Sequence, residues 1–410
     1  MHRLAGALVT PMNMEIPVET RSFAKNTEIE VLRAYAILFT LVFHLKLLLP
    51  GGGTIGEMLA WLDLSVGVDL FLVISGYVIT ASISQSRSKY PVSAGALIMA
   101  FWIKRVYRLW PSAWTWIVVA ILAQLSVSSV VDLSDRSGDI VWQAVIALIN
   151  MMNLFTPHCV ASGGGVQCVV DNYLGHYWSL SLEEQFYILF PLLFFLVPRR
   201  VFIIALVAGI VFQFTWSRPF FTYSWYFKTD ALLWGILLAL LQQLTLEGKV
   251  KFNLNPGSTM LRCLGLLLIT LLPLVASRVQ GIGSAMQPYG VGLVALICAC
   301  AVGLAALERG TFQLNGYGGR IMQYFASRSY SMYLVHLIVI LSVRDLFQGL
   351  GEEVAMGGTA TGLALIVAVF FTVLFTELNY RFIESGIRDR GRVIASKRLS
   401  RALSEESRPS

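Results

Sequence analysis

Apolar runs free of charge recur along this 410-residue chain: Val201–Phe214 and Leu363–Phe375 contain no ionisable side chain. A run of this kind, extended to the ~20 residues that cross a ~30 Å hydrocarbon core, must bury its backbone polar groups within itself, and a helix does this. Composition supports the same conclusion. Only 13% of the residues are charged and 56% are hydrophobic, whereas soluble domains carry about 25% charged residues. Lipid therefore replaces water around much of the chain. The expected class is all-α, a polytopic membrane bundle of about ten transmembrane helices plus one partial or re-entrant helix.

The spans are read at 31–49, 65–84, 111–130, 178–197, 200–217, 229–247, 260–277, 289–307, 326–346 and 357–377. With the N-terminus in the cytoplasm, the inner connections collect Arg87, Lys89, Lys104, Arg105, Arg108, Arg199, Lys249, Lys251, Arg309 and Arg320, while the outer ones hold little beyond Arg136, Arg218, Lys228, Arg278 and Arg344. Basic residues gather on the cytoplasmic side of membrane proteins, so both termini are expected inside. The net charge of +7 is thus a record of orientation. No soluble basic domain exists to grip a duplex, and nucleic acid is excluded as a partner. Met1–Asn26 lacks the compact apolar core of a cleavable signal, so the first span is expected to direct insertion. The apolar stretch 139–155 is read as the partial or re-entrant helix, 93–108 as an amphipathic helix on the inner surface, and 391–410 as a disordered basic tail.

An ionisable residue inside a bilayer is costly and therefore a functional candidate. Arg33 and His44 in the first span are eleven residues apart, about three helical turns plus ~20°, which sets them on nearly one face about 16 Å apart. His44 reads either as a packed histidine bonded to a neighbouring helix or as a catalytic base. Asp69, within Gly67–Tyr77, suits a close helix crossing in which a partner such as an arginine satisfies it. Arg105 and Arg108 share a helix face and form either a clamp for phosphate or pyrophosphate, or a contact with anionic headgroups. In His176–Tyr187 two adjacent carboxylates, Glu183 and Glu184, enter an apolar helix facing different directions. One of them, Glu183, is expected to orient His44 or position an acceptor. His176, Tyr177 and Trp178 stand at the outer rim, the aromatics either stacking on a sugar or serving as interface-belt residues. His336 reads as a packed histidine or a site residue. Lys228 and Asp230 read as an outer gate or a local ion pair. Cys159 and Cys168 bracket a Gly-rich loop: a disulfide if that loop meets an oxidising compartment, or, with His158 and His176, a zinc site.

Taken in order, Arg33-x10-His44, Gly67–Tyr77, Arg105-x-x-Arg108, Trp178–Tyr187 and Ser329–His336 resemble the motifs of the acyltransferase 3 family, over residues 28 to 386. Glu30 departs from the aspartate common at its place, and Gly386 from a usual proline. The resemblance implies an O-acyltransferase that moves an acyl group, commonly acetyl, from cytoplasmic acyl-CoA to a hydroxyl of a surface glycan, without a metal. It implies a transmembrane acyltransferase domain over 28–386, between a cytoplasmic segment, 1–27, and a basic cytoplasmic tail, 387–410, in a bacterial cytoplasmic (inner) membrane. His44, Arg33 and Glu183 would be catalytic, with His44 either a base or an acyl carrier. Arg105, Arg108 and Arg33 would hold the donor. Asp69, His176, Tyr177, Trp178, Ser181, Lys228, Asp230, Tyr333 and His336 would face the acceptor. The competing class is an exporter of a glycan or lipid-linked sugar, which needs no clamp for coenzyme A.

Overall fold

The computed structural model describes residues 26–49, 54–131, 140–165, 167–247, 258–280, 286, 288–349 and 359–406. The expected segment 1–27 lies almost wholly outside these residues, as do Arg136, Lys249 and Lys251. Among the described residues there is no strand. The principal helices are α1 (Thr27–Leu45), α2 (Val66–Lys89), α3 (Ala94–Ser128), α4 (Ile140–Leu148), α5 (Met152–Cys159), α6 (Tyr177–Leu196), α7 (Arg199–Phe214), α8 (Thr229–Leu246), α9 (Ser258–Val279), α10 (Gly290–Ala306), α11 (Gly316–Gly349), α12 (Thr359–Asn379) and α13 (Ser385–Glu406). All ten expected spans fall on helices. Eight are long and apolar enough to cross a membrane, and α7 and α10, at 16 and 17 residues, are the two shorter ones. The chain is an all-α polytopic membrane protein. We call the face where α1 begins proximal and the opposite face distal.

The bundle centre is built by close backbone approach. A Cβ on Gly76 of α2 would lie 2.2 Å from the Leu232 carbonyl oxygen of α8, and one on Gly235 would lie 2.2 Å from that of Val73. Small residues let transmembrane helices approach this closely, so that packing and not a hydrophobic drive holds them. Gly67 sits in the same way over Ala36 and Thr40 of α1. α11 packs against both α1 and α12, which brings the first span beside the ninth.

Two expectations change, and the partial helix at 139–155 gains detail. The amphipathic helix at 93–108 and the span at 111–130 are one 35-residue helix, α3, which continues through Pro111. The stretch 139–155 is two short helices broken at Asn150, whose φ is 55°. At nine and eight residues neither reaches the ~30 Å of a span, since a helix rises about 1.5 Å per residue. Gln185 of α6 stabilises the break, donating to the Asn150 carbonyl at 2.8 Å and exchanging amide hydrogen bonds with Asn153 at 3.0 and 3.1 Å. Finally, residues 391–406 of the tail expected to be disordered belong to α13, which begins at Ser385. Its Ala395 and Leu399 are buried with Leu97 and Ala100 of α3, and Gly391 lies so close that a Cβ would meet the Cβ of Tyr107 at 2.3 Å. The expected boundary at 386/387 falls in the first turn of this helix. Apolar positions spaced four apart among charges carried the signal for it.

Candidate active site

Two adjoining chambers open from the proximal face. The wide one, about 570 Å³, is lined by Arg33, Arg108, Tyr77, Tyr380, Arg388 and Arg392 among others. The narrow one, about 90 Å³, continues inward between Arg105, Ser75, Glu183, Tyr187, Ser179 and Tyr333. Arg33, Val78, Arg108, Ser329 and Tyr330 line both.

Arg105 and Arg108 reach the chambers because three residues on a helix return to nearly the same face. The Arg105 guanidinium lies over the rings of Phe101 and Tyr187, 5.2 and 5.4 Å from their centroids. Neither arginine forms an ion pair among the described residues, and the Nε of each is buried without a hydrogen-bond partner. Arg33 is engaged by Glu30 at 2.6 Å. Both side chains are half-buried, and Glu183 and Glu184 act on Arg105, and Glu384 on Arg108, through space and not through an ion pair. Glu183 is in the narrow chamber, where its carboxylate accepts from Ser75 Oγ. It does not orient His44. Seven residues separate Glu183 from His176, about 10.5 Å along α6, and the histidines lie at the far end of that rise. Glu184 faces away and accepts from Trp110 Nε1 at 3.1 Å.

Beyond the narrow chamber stand three histidines in a row. His336 is fully buried; its Nδ1 is 2.7 Å from the Tyr333 carbonyl and 3.2 Å from that of Met332. Carbonyls only accept, so His336 Nδ1 carries the proton and its Nε2 is left with a lone pair. That Nε2 lies 3.2 Å from His44 Nδ1, which is also 2.9 Å from the Thr40 carbonyl. Two acceptors therefore converge on His44 Nδ1 and place its proton there, which leaves His44 Nε2 as the basic atom. His176, also buried, bonds through Nε2 to the Leu334 carbonyl at 3.2 Å, its ring centroid 5.3 Å from that of His336.

His44 is half-buried and lines neither chamber. Tyr333 donates its hydroxyl to the His176 carbonyl at 2.9 Å, stands 2.6 Å from Ser179 Oγ, and sets its ring edge-on to Phe71. His44 thus shares no chamber with the paired arginines, and Tyr333, which lines the narrow chamber, packs on the rings of His336 and His176 at 5.4 and 5.5 Å.

Several residues expected to face an acceptor are consumed by the scaffold. Asp69 is paired with Lys228 at 3.0 Å, both side chains nearly inaccessible, so its partner is a lysine and not an arginine. The Lys228 ammonium also sits 3.7 Å above the Trp225 ring. Asp230 pairs not with Lys228 but with Arg218, in a bidentate contact of 2.7 Å at both oxygens. Tyr177 is buried and donates to the Ala113 carbonyl at 2.9 Å, so no sugar stacks on it. Ser181, fully buried, accepts from Met152 N at 3.2 Å and anchors the start of α5. Trp178 packs edge-on to Tyr226. Cys159 and Cys168 are joined in a disulfide with a Cα–Cα separation of 6.1 Å, and His176 lies in the histidine row.

Residues the sequence reading passed over include Ser75, Ser179 and Tyr187 of the narrow chamber, each already inside a quoted motif. Arg218 was counted as an outer-loop charge, although its aromatic neighbours signal burial. Glu28 was missed as well: buried at 3% exposure, it accepts from the backbone of Gly310 and Phe312 at 2.8 Å and ties α1 to the turn before α11.

A family model described as an acyltransferase domain matches residues 26–377. The O-acetyltransferase OatA of Staphylococcus aureus strain NCTC 8325 is 26% identical over 385 residues, covering 88% of this chain and 57% of OatA. A protein of Staphylococcus aureus strain COL, provisionally named an O-acetyltransferase, is 25% identical over 378 residues with the same two shares. The chain thus spans little more than half the length of these curated relatives. No solved structure shows a significant match.

Proposed function

The chain belongs to the acyltransferase 3 family, and from that premise we propose that it moves an acyl group, acetyl in the first instance, from cytoplasmic acyl-CoA to a hydroxyl of a cell-surface or extracytoplasmic glycan. It would act in a bacterial cytoplasmic membrane with both termini, and hence the proximal face, toward the cytoplasm. The observation that carries this reading is the pair Arg105 and Arg108, half-buried where the two chambers adjoin, Arg108 lining both and Arg105 the narrow one, with neither guanidinium in an ion pair among the described residues. A pyrophosphate is the complement of such a fork.

Distance supports it further. The pantetheine arm joins its phosphate to the sulfur through about twelve bonds, and at roughly 3.3–3.6 Å per three bonds it reaches about 14 Å. Arg33 and His44 are about 16 Å apart along α1. A pyrophosphate held at the level of Arg33 therefore delivers its thioester near the level of His44. Tyr333 is the side chain that must turn aside for the two to meet.

In the direct form of the reaction, His44 Nε2 takes the proton of the acceptor hydroxyl as its oxygen attacks the thioester carbonyl. The carbon–sulfur bond breaks, and the imidazolium returns that proton to the departing thiolate. His336 and Thr40 hold the Nδ1 proton throughout. In the two-step form, Nε2 attacks the thioester carbonyl and the carbon–sulfur bond breaks to release coenzyme A as thiolate; the acceptor oxygen then attacks the acyl-imidazole, the carbon–nitrogen bond breaks, and the hydroxyl proton passes to the thiolate. Either path needs the same bare nitrogen. The names of the relatives support oxygen as the accepting atom.

The test is transfer of labelled acetyl from acetyl-CoA in vesicles holding the purified protein and its glycan acceptor. His44→Ala should lower turnover by about 10²–10⁴, the worth of general-base help, with binding of coenzyme A retained. Undiminished transfer by that variant would remove His44 from the reaction.

A further inference from the structure

Helix α13 lies beyond the family match, which ends at residue 377, yet it forms a wall of the wide chamber with Arg388 and Arg392. We propose that α13 is part of the donor site and that Arg388, with Arg392 at the rim, receives the 3′-phosphate on the nucleotide end of acyl-CoA. This rests on the donor reading above and extends it to residues outside the matched stretch.

The placement follows from the order of groups along the donor. With the thioester directed inward and the pyrophosphate at Arg33 and Arg108, which line both chambers, the nucleotide occupies the wide chamber on the proximal side. Arg388 is held there and not loose. Its guanidinium contacts Glu384 at 3.2 Å and faces the Tyr380 ring at 5.7 Å. Its Nε is buried without a hydrogen-bond partner, with Asp389 Oδ1 3.7 Å away. Glu384 meanwhile takes the Ser331 hydroxyl at 2.6 Å, which shares that carboxylate between two donors. The planar fork of a guanidinium matches phosphate geometry, and a phosphate arriving here would draw Arg388 from Glu384 and Arg392 from Asp389, which it contacts at 3.1 Å.

The helix bearing it is seated by packing. Gly391 lies against Tyr107 of α3, one residue from Arg108, and Glu406 accepts from Ser93 N at 2.9 Å. Arg388 is therefore fixed relative to the arginine pair it would complement.

The experiment is calorimetric binding of coenzyme A and of 3′-dephospho-coenzyme A to the full chain in detergent. The unaltered protein should bind coenzyme A about tenfold more tightly than the dephospho form. Arg388→Gln should weaken coenzyme A by about tenfold and leave the dephospho form unchanged, an internal sign that the variant is folded. Arg392→Gln should show a smaller loss of the same selectivity. Equal affinity of the unaltered protein for the two ligands, or equal weakening of both by Arg388→Gln, overturns the assignment while the donor reading stands. Failure of the unaltered protein to bind coenzyme A at all counts against the donor reading and takes this assignment with it.

Discussion

At the scale of single residues, the distal half of the bundle is governed by charges that answer one another. Asp69 and Lys228 come from α2 and from the turn into α8, and neither side chain exceeds 2% exposure. Removing one partner of such a pair leaves the other buried and uncompensated, at a cost of about 3–5 kcal/mol, whereas removing both is far milder. Lys228→Met is therefore expected to lower the thermal unfolding midpoint sharply, and Asp69→Leu combined with Lys228→Met to recover most of the loss. A double-mutant cycle read by unfolding in detergent checks this. In the chambers Arg33 and Arg388 are likewise paired, with Glu30 and Glu384, whereas Arg105 and Arg108 form no ion pair among the described residues, and it is there that the proposed function places the donor's anion.

At the scale of elements, the bundle depends on how near α2 and α8 approach. Their crossing is held by Gly76 and Gly235, each of which would drive a Cβ into the backbone of the other helix. A backbone cannot yield as a flexible side chain does, so Gly76→Ala must separate the helices. The expected cost is about 1–3 kcal/mol, seen as a lowered unfolding midpoint. Gly95 in α3, with open space around it, serves as the control. There alanine should be neutral or slightly stabilising, since glycine weakens a helix interior by up to about 1 kcal/mol. The α2–α8 crossing also has a functional consequence. It carries Ser75 into the narrow chamber against Glu183 while setting Asp69, six residues earlier, against Lys228.

At the scale of the whole molecule, the two faces differ in kind. The proximal face carries the open chambers and the arginines of α3 and α13, and the distal face carries the disulfide, the buried pairs Asp69–Lys228 and Arg218–Asp230, and the broken helices α4 and α5. If basic residues face the cytoplasm, a cysteine placed at Ser400 of α13 should react with an impermeant maleimide only in inside-out vesicles, and one placed at Thr222 only in right-side-out vesicles. The background should carry alanine at Cys263, Cys298 and Cys300, which are free thiols. Labelling of both positions from one side would reverse or break the proposed orientation.

The amino-acid sequence alone determined the membrane class, the helix positions and the order of the motifs, because these depend on local quantities: the length of an apolar run, the side of the chain on which basic residues gather, and spacing along one helix. Arg33 and His44 on one face of α1, and Arg105 with Arg108, were legible for that reason. What required the tertiary structure was partnership between helices. That Lys228 rather than an arginine answers Asp69, that His336 and not Glu183 stands at His44 Nδ1, that Tyr333 lines the narrow chamber and packs on the His176 ring, and that α13 packs on α3 all depend on contacts between residues far apart in the chain. A periodicity says which face of a helix is apolar or charged; only the assembled bundle says which other face it meets.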